Sequence, residues 1–215
     1  MTQFAYIVDD DEAIRDSLGW LMQSRGIPCK TFASAEAFLE AWDASFAGCI
    51  LLDIRMGEMS GNELFDYLIE RGCRLPVIFL TGHGEVPLAV STLKNGAFDF
   101  VEKPCNDNLL ADRVLEAFNL DDERRKAAAQ ASLVKGRLAR LTPREKLVME
   151  RILAGKLNKV IAYELNIGMR TVEVHRASLF QKMGVRTAVE LARVVMSSSD
   201  DPSLESPGGA ENNSR

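Results

Sequence analysis

In the run Cys49-Ile50-Leu51-Leu52-Asp53-Ile54-Arg55-Met56, four apolar residues in succession are followed by a carboxylate. A short unbroken apolar run of this kind predicts a strand covered on both faces, with Asp53 emerging where the strand leaves the sheet. An earlier run, Phe4–Val8, ends on a second acidic group, Asp9-Asp10-Asp11. Thr81 and Lys103 close two further apolar runs. Four strand ends would thus bring carboxylates, a hydroxyl and an ammonium to one edge. Such a set can bind a divalent cation or accept a phosphoryl group.

Working outward, strands are expected at Phe4–Val8, Pro28–Thr31, Cys49–Leu52, Val77–Leu80 and Phe98–Glu102. Amphipathic helices are expected between and after them, at Glu12–Arg25, Ala35–Ala44, Asn62–Arg71, Pro87–Asn95 and Asp107–Phe118. Asp11 and Ser34 suit N-caps, Pro87 a first helical turn, and Gly26 and Gly96 helix ends. Regular strand–helix alternation predicts a parallel sheet with helices on both faces. Five such units in about 120 residues fit a flavodoxin-like, (βα)5 doubly wound α/β domain, which binds ligands beyond the carboxyl ends of its strands.

The formal net charge of −5 conceals a segregation. Residues 1–120 carry 9 Lys and Arg against 19 Asp and Glu, whereas residues 135–196 carry 13 against 5. An acidic half joined to a basic half argues for two domains with different partners, and the basic half is a nucleic-acid candidate. No stretch is apolar for long enough to span a membrane, and the N-terminus lacks an export signal pattern, so a cytoplasmic protein is expected. The 4 cysteines have no C-x-x-C spacing and read as reduced thiols. The 2 histidines, His83 and His175, argue against a histidine metal site.

Residues 121–140 are rich in Ala, Arg, Lys and Gln without a strong apolar stripe, and predict a helical linker continuing the preceding helix. Residues 141–196 show four helical segments and no strand pattern. Thr142-Pro143-Arg144-Glu145 is a capping box with proline in the first turn, opening a helix through Leu153. Asn158 is placed as the cap of a short helix, Lys159–Leu165, and Asn166 as its left-handed end. Helices about Met169–Met183 and Thr187–Met196 follow, with Val172, Leu179 and Met183 facing inward. Two short helices around a tight turn fit a helix-turn-helix. The tail 197–215 concentrates Ser, Asp, Pro, Gly and Asn and is expected to be disordered.

Clustered carboxylates repel one another unless a cation neutralises them, and hard oxygen ligands in this number suit Mg²⁺. Asp53 beside such a cation can act as a nucleophile toward phosphorus, giving an acyl phosphate. In-line transfer then needs alignment and positive charge around the equatorial oxygens, which Lys103 and the Thr81 hydroxyl can supply. Singly, each residue has a plainer reading: a solvated acidic helix start, a surface lysine, a strand-end threonine.

As a set, Val8-Asp9-Asp10-Asp11, Leu52-Asp53-Ile54-Arg55-Met56, Met59-Ser60-Gly61, Leu80-Thr81-Gly82-His83-Gly84 and Lys103-Pro104 resemble the response regulators of two-component signalling. The resemblance implies that residues 1–120 are a receiver domain with Asp53 as phosphoacceptor. It also implies that Asp10, Asp53 and the backbone carbonyl of Arg55 ligate Mg²⁺, with Asp9 acting through water. Lys103-Pro104 would be a cis peptide, and Thr81 and Phe100 would move together on phosphorylation. Where the family usually has proline after the Met, this chain has Gly57, a looser loop residue.

The pattern Lys159-Val160-Ile161-Ala162-(x)8-Thr171-Val172-Glu173-Val174-His175 is similar to the LuxR-type output domain of the FixJ/NarL branch. By that similarity Glu173, Val174 and Ala177 would face base edges, with Arg176 nearby. Lys159, Arg170, Thr171 and His175 would meet phosphates or support that geometry. The relatives commonly open this helix with Ser-Pro, whereas this chain has Gly168-Met169.

The expected function is a DNA-binding transcription regulator phosphorylated on Asp53 by a sensor histidine kinase. It would dimerise when phosphorylated, bind a two-half-site promoter and work with RNA polymerase, catalysing only its own phosphorylation and dephosphorylation. Two alternatives stand beside it. A phosphatase of this chemistry usually has a second aspartate two residues after the nucleophile, where this chain has Arg55. A phosphorylation-independent DNA binder would use the acidic domain only for docking.

Overall fold

The computed structural model describes residues 1–82 and 92–199. The helix expected over Pro87–Asn95 is therefore described only from Thr92, and Pro87, His83 and Gly84 lie outside the described residues. So does the expected tail from residue 200. The described chain forms two compact units, residues 1–125 and 126 onward.

In the first unit the strands are β1 (Phe4–Val8), β2 (Cys29–Phe32), β3 (Gly48–Asp53), β4 (Val77–Thr81) and β5 (Asp99–Glu102). All pair in parallel, in the order β2-β1-β3-β4-β5. This is the doubly wound order expected for a flavodoxin-like sheet, and it reverses between β1 and β3. Helices α1 (Glu12–Ser24), α2 (Ala35–Ala41) and α3 (Gly61–Glu70) connect the early strands, and α4 (Asp107–Ala139) follows β5.

Strand periodicity divides the core. Ala5, Ile7, Leu51, Ile78 and Leu80 face one side and pack with Leu18 and Met22 of α1 and with Leu110 and Val114 of α4. Tyr6, Val8, Ile50, Leu52 and Phe79 face the other and pack with Phe38 of α2 and with Leu64 and Leu68 of α3. All six residues of β3 are buried, as its apolar run predicts.

The expected caps form at Asp11, whose side chain accepts from Ala13 N, and at Ser34, which accepts from Ala37 N. Helix α2 stops at Ala41, three residues before the expected end. Trp42 turns to extended backbone, and the Asp43 side chain accepts from Ser45 N in a local turn that competes with the helix.

The second unit contains α5 (Pro143–Leu153), α6 (Asn158–Leu165), α7 (Met169–Met183) and α8 (Ala188–Ser199). Val148, Ile152, Ile161, Val172, Leu179, Met183 and Leu191 close on one core. The Thr142–Glu145 capping box forms, and Asn166 ends α6 at φ 51°.

Three further details differ from expectation. Leu157, not Asn158, is the N-cap of α6, because the Asn158 side chain accepts from Arg176 Nη1 instead of the helix backbone. Helix α8 continues to Ser199, past the expected boundary at 196. The segment 121–140, expected as a helical linker, is helical but is not free of either core. Asp121 is buried in the first unit, and Val134 is fully buried in the second.

Candidate functional site

The reversal of strand order between β1 and β3 opens a crevice at their carboxyl ends, and Asp9 and Asp53 stand there. Both are buried. Lys103, just beyond β5, reaches between them: its Nζ donates to Asp9 Oδ2 at 2.7 Å and to Asp53 Oδ1 at 2.5 Å. Lys103 is set by its backbone N–H, which donates to Thr81 O at 2.7 Å, and it precedes a cis bond to Pro104. Thr81, the last residue of β4, is buried at the same edge.

Burial pushes the Asp53 carboxyl above its ordinary value, against the lowering effect of the Lys103 ammonium; the Asp9 carboxylate adds to the rise. Burial alone would depress the Lys103 ammonium, but the two carboxylates outweigh it and hold its pKa above the usual lysine value. One positive charge thus serves two desolvated negative ones. That imbalance favours a further cation.

Asp9 is the more engaged acid of the acidic triplet. Its Oδ1 accepts from Asp11 N at 2.9 Å, and its carbonyl accepts from Arg15 Nη1 at 2.9 Å. Asp10 is exposed beside the pair, and Arg55 is exposed in the loop after β3, its N–H directed at the Asp53 carboxylate. Among the described residues no group of three or more His, Cys, Asp or Glu side chains gathers as a metal cluster. Two or three carboxylates and a carbonyl nonetheless fit Mg²⁺, which keeps much of its water and needs few protein ligands.

Two neighbours shape the crevice. Gly61, the first residue of α3, lies so close to the strand end that a Cβ there would sit 2.1 Å from Asp53 O. At Gly57 nothing lies within 4 Å of a Cβ. Phe100 is half-buried on β5, in register with Phe79. Gly61 was legible only as part of a motif. Arg15 carried no sequence signal, because its contact is made across the turn from strand to helix.

In the second unit, Arg170, Thr171, Glu173, Val174 and Ala177 of α7 are exposed, and Val172, Leu179 and Met183 are buried opposite. Arg170, Glu173, Val174 and Ala177 recur at helical spacing, and Gln181 continues the same face. Lys159 is exposed in the first turn of α6. His175 and Arg176 are half-buried on the flank. The Arg176 guanidinium lies 4.9 Å from the centre of the Phe180 ring and bonds Asn158, so it is already engaged within the unit. Neither α6 nor α7 has a side-chain N-cap bond.

A doubly wound domain with an Asp–Asp–Lys crevice at its strand-order reversal, followed by a helix-turn-helix unit, defines a regulator with a receiver and a DNA-binding output. The chain matches the response regulator receiver domain over residues 5–115 and the bacterial regulatory proteins of the luxR family over residues 139–195. It is 50% identical over 196 residues to the C4-dicarboxylate transport transcriptional regulatory protein DctR of Rhodobacter capsulatus, covering 90% of this chain and 100% of that one. It is 41% identical over 191 residues to the transcriptional regulatory protein FixJ of Bradyrhizobium diazoefficiens, covering 89% and 93% respectively. The solved structure of the response regulator StyR is similar with a TM-score of 0.84 at 36% identity, covering 91% of this chain and 99% of that one.

The chain belongs to the two-component response regulators of the FixJ/NarL kind. It is a non-enzymatic, DNA-binding transcription regulator, and a phosphorylation-dependent mechanism fits its family. Among the described residues no helix is long and apolar enough to cross a membrane.

Proposed function

We propose that Asp53 is the phosphoacceptor, and that α7 is the helix that reads DNA. The observation that carries the first part is the convergence of Asp9 and Asp53 on Lys103 at the strand-order reversal. Asp53, Asp10 and the Arg55 carbonyl would hold Mg²⁺, with Asp9 acting through water. When bound, the cation neutralises the oxygens of the transferring group. The Asp53 carboxylate, positioned by β3, would supply the attacking oxygen, its O–P bond forming as the donor phosphohistidine's P–N bond breaks and the imidazole leaves. The Lys103 ammonium, already 2.5 Å from that carboxylate, is placed to hold a phosphoryl oxygen on the product. The Thr81 hydroxyl would bond another oxygen, and half-buried Phe100 would follow it inward, altering the surface around β5.

The second part rests on the exposed face of α7 in a unit whose charge is basic. Glu173, Val174 and Ala177 would meet base edges, while Arg170, Thr171, His175 and Lys159 would position the unit on phosphates. Arg176 would act from the flank, through Asn158 and Phe180. The donor would be a cognate histidine kinase in the cytoplasm. Phosphorylation would promote a homodimer whose two-fold symmetry matches a promoter with two half-sites, with RNA polymerase as the downstream partner.

Incubation with acetyl phosphate and Mg²⁺ tests this, read by intact mass and by DNA binding. A phosphoryl adduct with tighter DNA binding is expected for the wild type, and neither for Asp53→Ala. An equal adduct on the variant would refute the assignment. Equal DNA binding by both proteins in the presence of phosphodonor would favour the phosphorylation-independent reading.

A further inference from the structure

We propose that Arg137, near the end of α4, is a positioning residue for DNA recognition: it clasps the carboxyl end of α7 and sets the helix's presentation to the duplex. The inference rests on the reading of α7 as the DNA-reading helix. Arg137 lies before residues 139–195, the part that matches the luxR family, and in a segment whose composition reads as linker.

Helix α7 ends at Gly184, which adopts the left-handed conformation at φ 68°. Gly184 N donates to Gln181 O at 3.2 Å and Val185 N to Phe180 O at 3.0 Å, closing part of the last turn. The carbonyl of Met183 is one of those a helix end leaves without an intrahelical donor. Arg137 Nη1 donates to it at 2.9 Å.

The guanidinium also lies over Gly184, with Nη1 3.3 Å and Cζ 3.4 Å from where a Cβ would stand. A fixed cation at a helix carboxyl terminus is favoured by the helix dipole as well as by the hydrogen bond. Val134, one turn earlier, is fully buried in the core of the same unit and anchors the helix that carries Arg137.

A second hold acts from the opposite element. Glu145, at the start of α5, accepts from Ser178 Oγ at 2.6 Å and from Lys182 Nζ at 2.7 Å. The carboxyl half of α7 is therefore held at residues 178, 182 and 183, while the exposed reading face is at 170–177. Between Glu173 and Met183 a helix rises about 15 Å, so a tilt of about 10° at the held end moves the reading residues by about 2–3 Å. That exceeds the tolerance of a base-edge hydrogen bond. Arg137 thus acts through helix direction and not by touching nucleic acid.

The test uses the full chain, phosphodonor and Mg²⁺, with a duplex enriched from a random pool by the wild type. Arg137→Ala is expected to weaken binding about tenfold, blur the base preference, and leave the slope of log affinity against log salt unchanged. Arg137→Lys, which keeps a cationic donor for Met183 O, should recover much of the affinity.

Three results would overturn the proposal. One is unchanged affinity in Arg137→Ala. Another is a salt slope reduced by about one contact, which would make Arg137 a phosphate ligand. The third is a lower melting temperature with wild-type affinity and base preference in the folded chain, which would leave it a stabilising residue only. If the alanine variant does not fold, Arg137→Gln decides between these outcomes by the same readouts. A wild type that enriches no duplex refutes the DNA-reading assignment itself, and the inference falls with it.

Discussion

Lys103 holds one ammonium between two buried carboxylates. Its removal leaves Asp9 and Asp53 facing each other with no compensating charge. Lys103→Ala is expected to destabilise the first unit by about 1–3 kcal/mol without divalent cation, less than a fully buried pair would lose because the lysine is partly exposed. Added Mg²⁺ should restore part of the loss, and thermal melts with and without the ion would show it.

Glu145 makes the opposite case, a buried acid with more partners than it needs. Burial would raise its pKa, but Lys182, Ser178 and Thr142 hold it down to about 2. A lowered folded-state pKa means that its contribution is complete above the ordinary value of 4.5 and drains away as pH falls toward 2. Denaturant melts from pH 6 to about pH 2 should show this acid loss in the wild type. Glu145→Gln should start about 1–2 kcal/mol lower at neutral pH and lose less on acidification.

At the scale of elements, two glycines close to Asp53 in the chain behave oppositely. A Cβ at Gly61 would meet Asp53 O at 2.1 Å, so Gly61→Ala must push α3 away from β3. A loss of about 2 kcal/mol or more is expected, with slower phosphorylation as Asp53 shifts. Gly57 has free space and a φ outside the left-handed region. Gly57→Ala should therefore be neutral or stabilise by about 0.4–1 kcal/mol through the unfolded chain. Differential scanning calorimetry and the rate of adduct formation would separate the two.

The elements themselves were largely legible, because β3 is an uninterrupted apolar run and Thr142-Pro143-Arg144-Glu145 carries its own capping chemistry. The convergence of Asp9, Asp53 and Lys103 was legible too, since each ends a strand of one parallel sheet. What stayed hidden depends on distant partners. Asp121 read as a linker acid, yet it is buried and accepts from Gly48 N, 73 residues away. Arg137 and Val134 were concealed by a helix-forming composition that has no periodic apolar stripe. The Asn158 side chain looked like a cap until Arg176, 18 residues on, claimed it.

For the whole molecule, the acidic and basic halves fold as separate compact units, each carrying one kind of chemistry. The 33 residues of α4 belong to both. Its first part is tied to the receiver by Asp121 on Gly48 N, Arg124 on Arg74 O and Arg125 on Phe46 O. Its last part supplies Val134 and Arg137 to the DNA-binding unit. Anyone dividing the gene for expression in halves therefore faces a narrow window. A receiver stopped at residue 120 loses three anchors at the base of its sheet, and an output fragment begun at residue 140 loses a core valine and the clasp on α7. Fragments divided between Lys126 and Leu133 should both fold cooperatively, whereas a receiver ended at 120 or an output fragment begun at 140 should melt several degrees lower, an outcome that circular dichroism can score. The helix that reads as mere spacer sets where the protein can be cut.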